Sequence, residues 1–570
     1  MNRKINKIVF SIVALCCATT FSCVDVLDVN ETRSLSDLAI WSSEESVDRY
    51  VVASYMTFKD ESQVSSSRER FYDSYSDLMK SSSWDQWGHQ YNRALLSPNF
   101  FQKGNANGFD IWADAYGRIR RANVLLDQIT EWGVPRFGND WCDIRRAEVR
   151  LCRAFSYYRL IRVYGGVIIR TELTGVDGGL DDGAIEANIH RARATEAESW
   201  KFVLDELEWA AERLPESWST QWTGRATKKT AYGLISRMAL FAKEWQMAVN
   251  AAEEVKRLGG DLAADYAKLF QVDGGQDNSK ELLFTLYFLK DEITHNFDLR
   301  NRPFGDRTTH TDAVTLAEHV PTAELADLYE FSDSTPFSWD TWHTLGYADP
   351  YTQREPRFHA TIFANGSPWE GRNIETFVGG TDEFTAFQTT IGFSTNGKTS
   401  TGYYLRKYLQ EGHNFSTNQS YQHDAVLRYA EVLLNKAEAY AELDYAANSA
   451  QALAALNEVR ARVKLDPRTA AEAPDKEAFM ELLRRERAVE LAGEGFRFWD
   501  LKRWRLAETV IDGQSVHGVR ITGNSVANFI YARVNADDNQ TRIFPERYYY
   551  LSLPSAEVAN NNLCVDNDGW

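Results

Sequence analysis

Three glutamates, Glu486, Glu490 and Glu494, recur every four residues in RRERAVELAGEGFRFWDLKRW, residues 484–504. That interval places them on one helix face, and paired carboxylates are what acid–base hydrolysis of a glycoside requires. The same block interleaves Arg484, Arg485, Arg487 and Arg497, with Glu481–Arg485 and Arg487–Glu490 at the spacing of helical ion pairs. Arginines in that register argue for a structural ion-pair network rather than for catalysis. GFSTNGKT, residues 392–399, satisfies the G-x-x-x-x-G-K-[ST] phosphate-loop pattern. Such a loop needs a helix start behind it, and the following Ser400-Thr401-Gly402-Tyr403-Tyr404 is rich in β-formers. The match is accidental. His310 and His319 lack zinc-ligand spacing, and neither H-E-x-x-H nor G-x-S-x-G occurs. Asp177, Asp181 and Asp182 in GVDGGLDDG are spaced loosely like a calcium loop, but the glycine is misplaced for an EF-hand. A solvated loop is the preferred reading, so no cofactor is expected and calcium stays a weak alternative.

The aromatic residues point elsewhere. The chain holds 17 Trp, 26 Tyr and 30 Phe. Large rings fill cores, yet some of these sit in polar loops with no helical stripe around them. SSSWDQWGHQYN carries Trp84, Asp85, Trp87, His89 and Asn92; PFSWDTWHTLGY carries Trp339, Asp340 and Trp342; SPWEGRN carries Trp369. A sugar ring offers an apolar C–H face to an indole, while Asp, Asn and His bind its hydroxyls. These nine residues are therefore the candidate ligand-binding set. Trp41, Trp112, Trp200, Trp209, Trp245, Trp499 and Trp504 lie on helical patterns or in the 484–504 block and read as core.

The elements that must position such loops are helical. Apolar stripes run through 107–130 (Ile111, Ala115, Ile119, Ala122, Leu126) and 141–164 (Ala147, Leu151, Ala154, Tyr158, Ile161), and 196–214 stops at Leu214-Pro215. Alanine-rich helical hairpins span 227–258 and 426–463 and read as tetratricopeptide-like pairs. A last helix covers 475–493. Residues 265–422, punctuated by Pro303, Pro321, Pro336, Pro350, Pro356 and Pro368, read as loops and short strands with one helix near 322–331.

Composition and the first segment bound the class. With 63 basic against 81 acidic residues the formal charge is −18 and no basic run interrupts it, which sets nucleic acid aside as a partner. Arg3, Lys4 and Lys7 precede an apolar stretch from Ile8 to Phe21, of signal-peptide length and too short to span a membrane. Thr20-Phe21-Ser22-Cys23 resembles a bacterial lipoprotein cleavage site, with Cys23 as the acylated first residue and outer-membrane lipid as its partner. Plain secretion with Cys23 incidental is the alternative. Cys142 and Cys152, on one helical pattern, stand about 15 Å apart, beyond bridging distance.

These segments, taken together, resemble the SusD/RagB family of outer-membrane nutrient-binding lipoproteins. The residues that carry the resemblance are RRAEVRLCRAFSYYRLIRVYGGVII, GRATKKTAYGLISRMALFAKEW, DYAKLFQVDGGQDNSKELLF, HVPTAELADLYEF, REPRFHATIFANG, TGYYLRKYL, LRYAEVLLNKAEAYAEL, the 484–504 block and the closing YYYLSLPSAEVANNNLCVDNDGW. Glu355 stands where the family has Asp, and the ending is Asp-Asn-Asp-Gly-Trp rather than Gln-Asn-Pro-Gly-Trp. The resemblance implies a mostly α fold in which tetratricopeptide-like helix pairs form a right-handed superhelical scaffold under an irregular lobe. It divides the chain into a signal peptide (1–22), a tether (23–40), an N-terminal helical region (41–264), the loop-rich ligand-binding lobe (265–422) and a C-terminal helical region and tail (423–570). It implies a cell-surface, lipid-anchored binding protein without catalysis. Such a protein captures oligo- or polysaccharide and passes it to a SusC-like TonB-dependent transporter. A peptide- or glycoprotein-binding lid and, further off, a surface glycoside hydrolase are the alternatives.

Overall fold

The computed structural model describes residues 40–65, 71–81, 93–172, 190–272, 280–308, 317–388, 393–394, 398–412 and 419–570. Its scaffold is a succession of helices, each packed on the next: Trp112–Gln128, Asn139–Tyr164, Glu196–Arg213, Lys228–Ala242, Trp245–Arg257, Tyr429–Arg462 and Lys476–Glu490. The longest of these, Tyr429–Arg462, is two helices merged across a kink at Asp444 (φ −170°, ψ 97°), so the expected hairpin turns there. Close approach rests on small residues. Ala231, Ala239, Ala248, Ala437 and Ala441 are fully or almost fully buried at these contacts. A Cβ on Gly233 would stand 2.6 Å from Leu427 and collide with the short sheet beneath.

Local chemistry sets the helix ends. Thr195 and Glu198 form a reciprocal capping box at the start of Glu196–Arg213, and Leu214 turns extended before Pro215. Asp475 caps Lys476–Glu490 through the Ala478 N–H. Of the tryptophans read as core, Trp41, Trp112, Trp200 and Trp499 are buried and Trp209, Trp245 and Trp504 half-buried. Cys142, Cys152 and Cys564 are free thiols.

The irregular region lies against this scaffold as short two-stranded pieces. Leu282–Leu286 pairs antiparallel with Asp424–Arg428, and Met79–Ser81 with His319–Pro321. A second core, with Tyr329, Phe358, Tyr403, Tyr404, Trp369 and Val519 among its members, fills the lobe. One hairpin escaped the helical reading of the C-terminal region: His517–Thr522 pairs with Ile530–Asn535, and among the described residues these strands pair only with each other.

A seam of buried ion pairs joins lobe to helices. Arg428 reaches Glu281 (2.9 Å), Glu490 (2.6 Å) and Glu494 (2.7 Å); Arg462 reaches Glu490 (2.5 Å); Arg357 reaches Glu355 (2.7 Å), Glu486 (2.6 Å) and Glu490 (3.0 Å). Arg460 ties Glu486 to Glu330. Burial works to raise the Glu490 pKa, but Arg462, Arg428 and Arg357 more than reverse it and hold the carboxyl well below the usual range. The three glutamates that could have been catalytic are therefore internal, and each is paired with arginine.

Candidate functional site

A cleft of about 700 Å³ opens where the loop 337–343 meets the hairpin 517–535. The loop leaves the lobe core at Phe331 and carries Phe337, Trp339, Asp340, Trp342 and His343 to the cleft; the hairpin brings Phe529, Ile530, Tyr531 and Arg533. Strand alternation explains the second set. Tyr531 and Arg533 lie two residues apart and so share a face. The hairpin is pinned at its base, where Gly518 sits so close to Thr401 that a Cβ would meet the Thr401 carbonyl oxygen at 2.4 Å.

The rings form an open arc. Trp339 and Tyr531 lie 6.1 Å apart at 38°, Trp342 and Tyr531 5.9 Å apart edge to face, and Phe337 meets Trp339 edge-on at 5.1 Å. Tyr351 backs Tyr531 from within the core. Trp339, Trp342 and Tyr531 are each half-buried, while Asp340 and His343 are exposed and Ile530 is 68% exposed. Half-buried rings beside exposed polar groups suit a ligand with apolar faces and hydroxyl edges.

One carboxylate locks the arc. Asp327, from the helix Ala323–Leu328, accepts the Trp339 indole N–H at 3.0 Å and an Arg533 N–H at 3.2 Å. Arg533 also donates to Glu324 at 2.7 Å, and Glu324 pairs with the His517 Nδ1 at 2.6 Å. Hairpin and loop are thus joined through a single helix. Burial raises Asp327 to about 6, against the opposing pull of Arg533, Arg354 and the indole N–H. For Glu324, burial is outweighed by the hydrogen bonds from His517 and Arg533, and its pKa falls.

Of the nine expected ligand-binding residues, Trp339, Asp340 and Trp342 meet at this cleft. Trp369 does not. It is 2% exposed, its Nε1 donates to Asp306 at 3.0 Å, and its ring packs against Phe363 and Arg302. It has no open face for a ligand and is a core residue of the lobe. Trp84, Asp85, Trp87, His89 and Asn92 lie outside the described residues, as do Cys23 and the acidic loop Asp177, Asp181, Asp182. Among the described residues no group of three or more His, Cys, Asp or Glu is set to hold a metal, and no helix is long and apolar enough to cross a membrane. His319 stacks on Phe71 and bonds Ser74. Lys398 of the phosphate-loop lookalike pairs with Glu383, and Ser400–Tyr403 is not helical. Sequence reasoning missed Phe529, Ile530, Tyr531 and Arg533. The period-two alternation of 517–522 and 530–535 was the available signal.

Comparison with known proteins bears on this arrangement. Residues 280–570 match the SusD family, and residues 25–240 match a family described as starch-binding associating with outer membrane. SusD-like protein P2 of Formosa agariphila is 25% identical over 83% of this chain and 83% of its own length. A SusD-like protein of Bacteroides fragilis superposes with a TM-score of 0.76 at 25% identity, covering 93% of this chain and 98% of that one. A SusD-like carbohydrate binding protein from the same organism gives 0.73 at 23% identity over 92% and 99%. A laminarin binding SusD-like protein gives 0.64 at 20% over 93% and 100%.

Proposed function

This chain belongs to the SusD family, and on that premise we propose that it is a glycan-binding protein that captures an oligo- or polysaccharide in the cleft between the 337–343 loop and the 517–535 hairpin. The observation that carries the reading is the arc of Trp339, Trp342 and Tyr531. Trp339 is braced by Phe337 and Asp327 and Tyr531 by Tyr351, Trp342 packs edge-on against Tyr531, and all three rings stay half-buried. Flat apolar platforms of this kind stack on the C–H faces of pyranose rings. Asp340 and His343 stand at the edge, where hydroxyls would lie. Capture is an equilibrium with no covalent step. The burial and complete pairing of Glu486, Glu490 and Glu494 supports binding without hydrolysis. The relatives named for carbohydrate and laminarin binding support the ligand class.

In this reading Cys23 carries the acyl chains that tether the protein to the outer membrane, and a SusC-like TonB-dependent transporter receives the bound glycan. The family description "associating with outer membrane" supports the place. Incorporation of labelled palmitate, abolished by Cys23→Ser, tests the anchor.

Affinity electrophoresis of the full-length protein through gels containing plant, host, fungal and algal polysaccharides tests capture. One glycan is expected to retard the wild type, with mobility restored in Trp342→Ala and Tyr531→Ala. Equal mobility in every gel, or retardation unchanged in those variants and in Trp339→Ala, overturns the proposal.

A further inference from the structure

Away from the cleft, a hollow of about 450 Å³ lies where the helices Asn139–Tyr164, Glu196–Arg213, Lys228–Ala242 and Arg497–Arg503 converge with Tyr549 and Tyr550. Its walls are aromatic, with Trp200 and Phe241 ring centres 5.4 Å apart. Its charge runs against that of the chain: five cations, Arg162, Lys243, Lys502, Arg503 and Arg505, face one acid, Glu196.

Two of those cations are answered. Arg162 pairs with Glu61 at 2.6 Å, and Arg503 with Asp500 at 2.8 Å and with Glu438. Lys502 is not. It is 7% exposed, its ammonium donates to the Arg162 carbonyl at 3.2 Å and lies 5.1 Å from the Trp499 ring, and no carboxylate is paired with it among the described residues. Arg505 lies over Tyr549 at 4.2 Å, also without a carboxylate. Glu196 is engaged: it accepts the Tyr550 hydroxyl at 2.5 Å and the Trp200 indole N–H at 3.3 Å. Burial, then Arg162 and Arg505, push Lys502 down to about 7, with Glu196 pulling weakly the other way. A buried cation left with one carbonyl acceptor among other cations is costly. An anion of the right size would relieve it.

We propose that this hollow is a second binding site, for a small organic carboxylate with a single-ring body, whose carboxylate is held by Lys502 and Arg505 and whose ring lies among Trp200, Phe241 and Tyr550. Sugar acids and aromatic acids share this chemistry. The titratable and charged groups that line the hollow with Lys502 are Arg162, Lys243, Arg503, Arg505, Glu196, Tyr549 and Tyr550, and of these Arg162, Arg505 and Glu196 act on it directly. Of these, burial pushes both tyrosines up, further from neutrality, so Lys502 is the group that titrates near neutral pH. An anionic ligand favours the charged ammonium. Binding therefore takes up a proton near neutrality and weakens as pH rises.

The test is calorimetric titration of the full-length protein with glucuronate, with benzoate and with inorganic phosphate, at about pH 6 and about pH 8.5. One of the two acids is expected to saturate, about tenfold more weakly at the higher pH. Lys502→Met is expected to abolish saturation, and Arg505→Ala, at an exposed position, to weaken it several-fold. Glucuronate alone saturating assigns sugar acids; benzoate alone assigns aromatic acids. Failure of both acids, saturation undiminished in Arg505→Ala, or phosphate binding as tightly as the better acid overturns the proposal.

Discussion

The ion-pair seam and the aromatic cleft are both dense in groups that do chemistry, and they differ in what is left over. At the seam Arg357, Arg428 and Arg462 each meet at least two carboxylates, and each of the three arginine side chains is at most 2% exposed. At the cleft one arginine, Arg533, bridges two carboxylates with its side chain still 42% exposed, and three rings each keep a face to solvent. Charge density therefore does not mark the site. Contact capacity that the protein has braced but not used does.

The comparison predicts opposite responses to mutation. The largest effect is expected from Glu490→Ala, which leaves Arg357, Arg428 and Arg462 buried with one partner fewer each. The expected loss is about 3–5 kcal/mol of stability in urea unfolding, with the folded fraction still retarded by the glycan. Normal stability in that variant would dissolve the distinction. Next, Trp369→Phe keeps an aromatic ring but removes the donor to Asp306 and part of the buried indole, at about 1–2 kcal/mol of stability and no change in retardation. Trp342→Ala should do the reverse, weakening glycan affinity about tenfold, ~1.4 kcal/mol, while stability moves by under about 1 kcal/mol.

A pH slope separates the two regions in another way. The folded-state pKa of Asp327 is raised to about 6, against about 3.9 in an unfolded chain. Between those values the folded protein holds more protons. This group's contribution to stability therefore falls as pH rises from about 4 to about 6 and is flat above. Asp73 and Asp424 are also raised to about 6 by burial and add to the slope in both proteins, so urea midpoints at the two ends of that window should show a shallower fall in Asp327→Asn than in the wild type, and equal slopes would remove Asp327 from the account.

The helices were legible because burial imposes a period on them. The stripe through 141–164 became Asn139–Tyr164, and Leu214-Pro215 ended its helix where expected. The cleft was legible by half. Trp339, Asp340 and Trp342 are neighbours in a loop and announce themselves together, whereas Tyr531 and Arg533 come from a hairpin far down the chain, placed by tertiary contacts through Glu324 and Asp327. Trp369 shows the converse. Its polar setting matches that of Trp342, yet its indole is drawn inward by Asp306, an acceptor no local pattern reveals.

The hairpin 517–535 borrows no strand from the rest of the described structure, and its turn, from Gly523 to Phe529, is anchored by bonds among Asn524, Ser525 and Asn528 themselves. In engineering terms that makes it a cassette. A tip of different sequence can be grafted between Thr522 and Phe529 without editing any buried position, and a library there would retune which ligand the Trp339–Trp342 platform accepts while the scaffold is held constant.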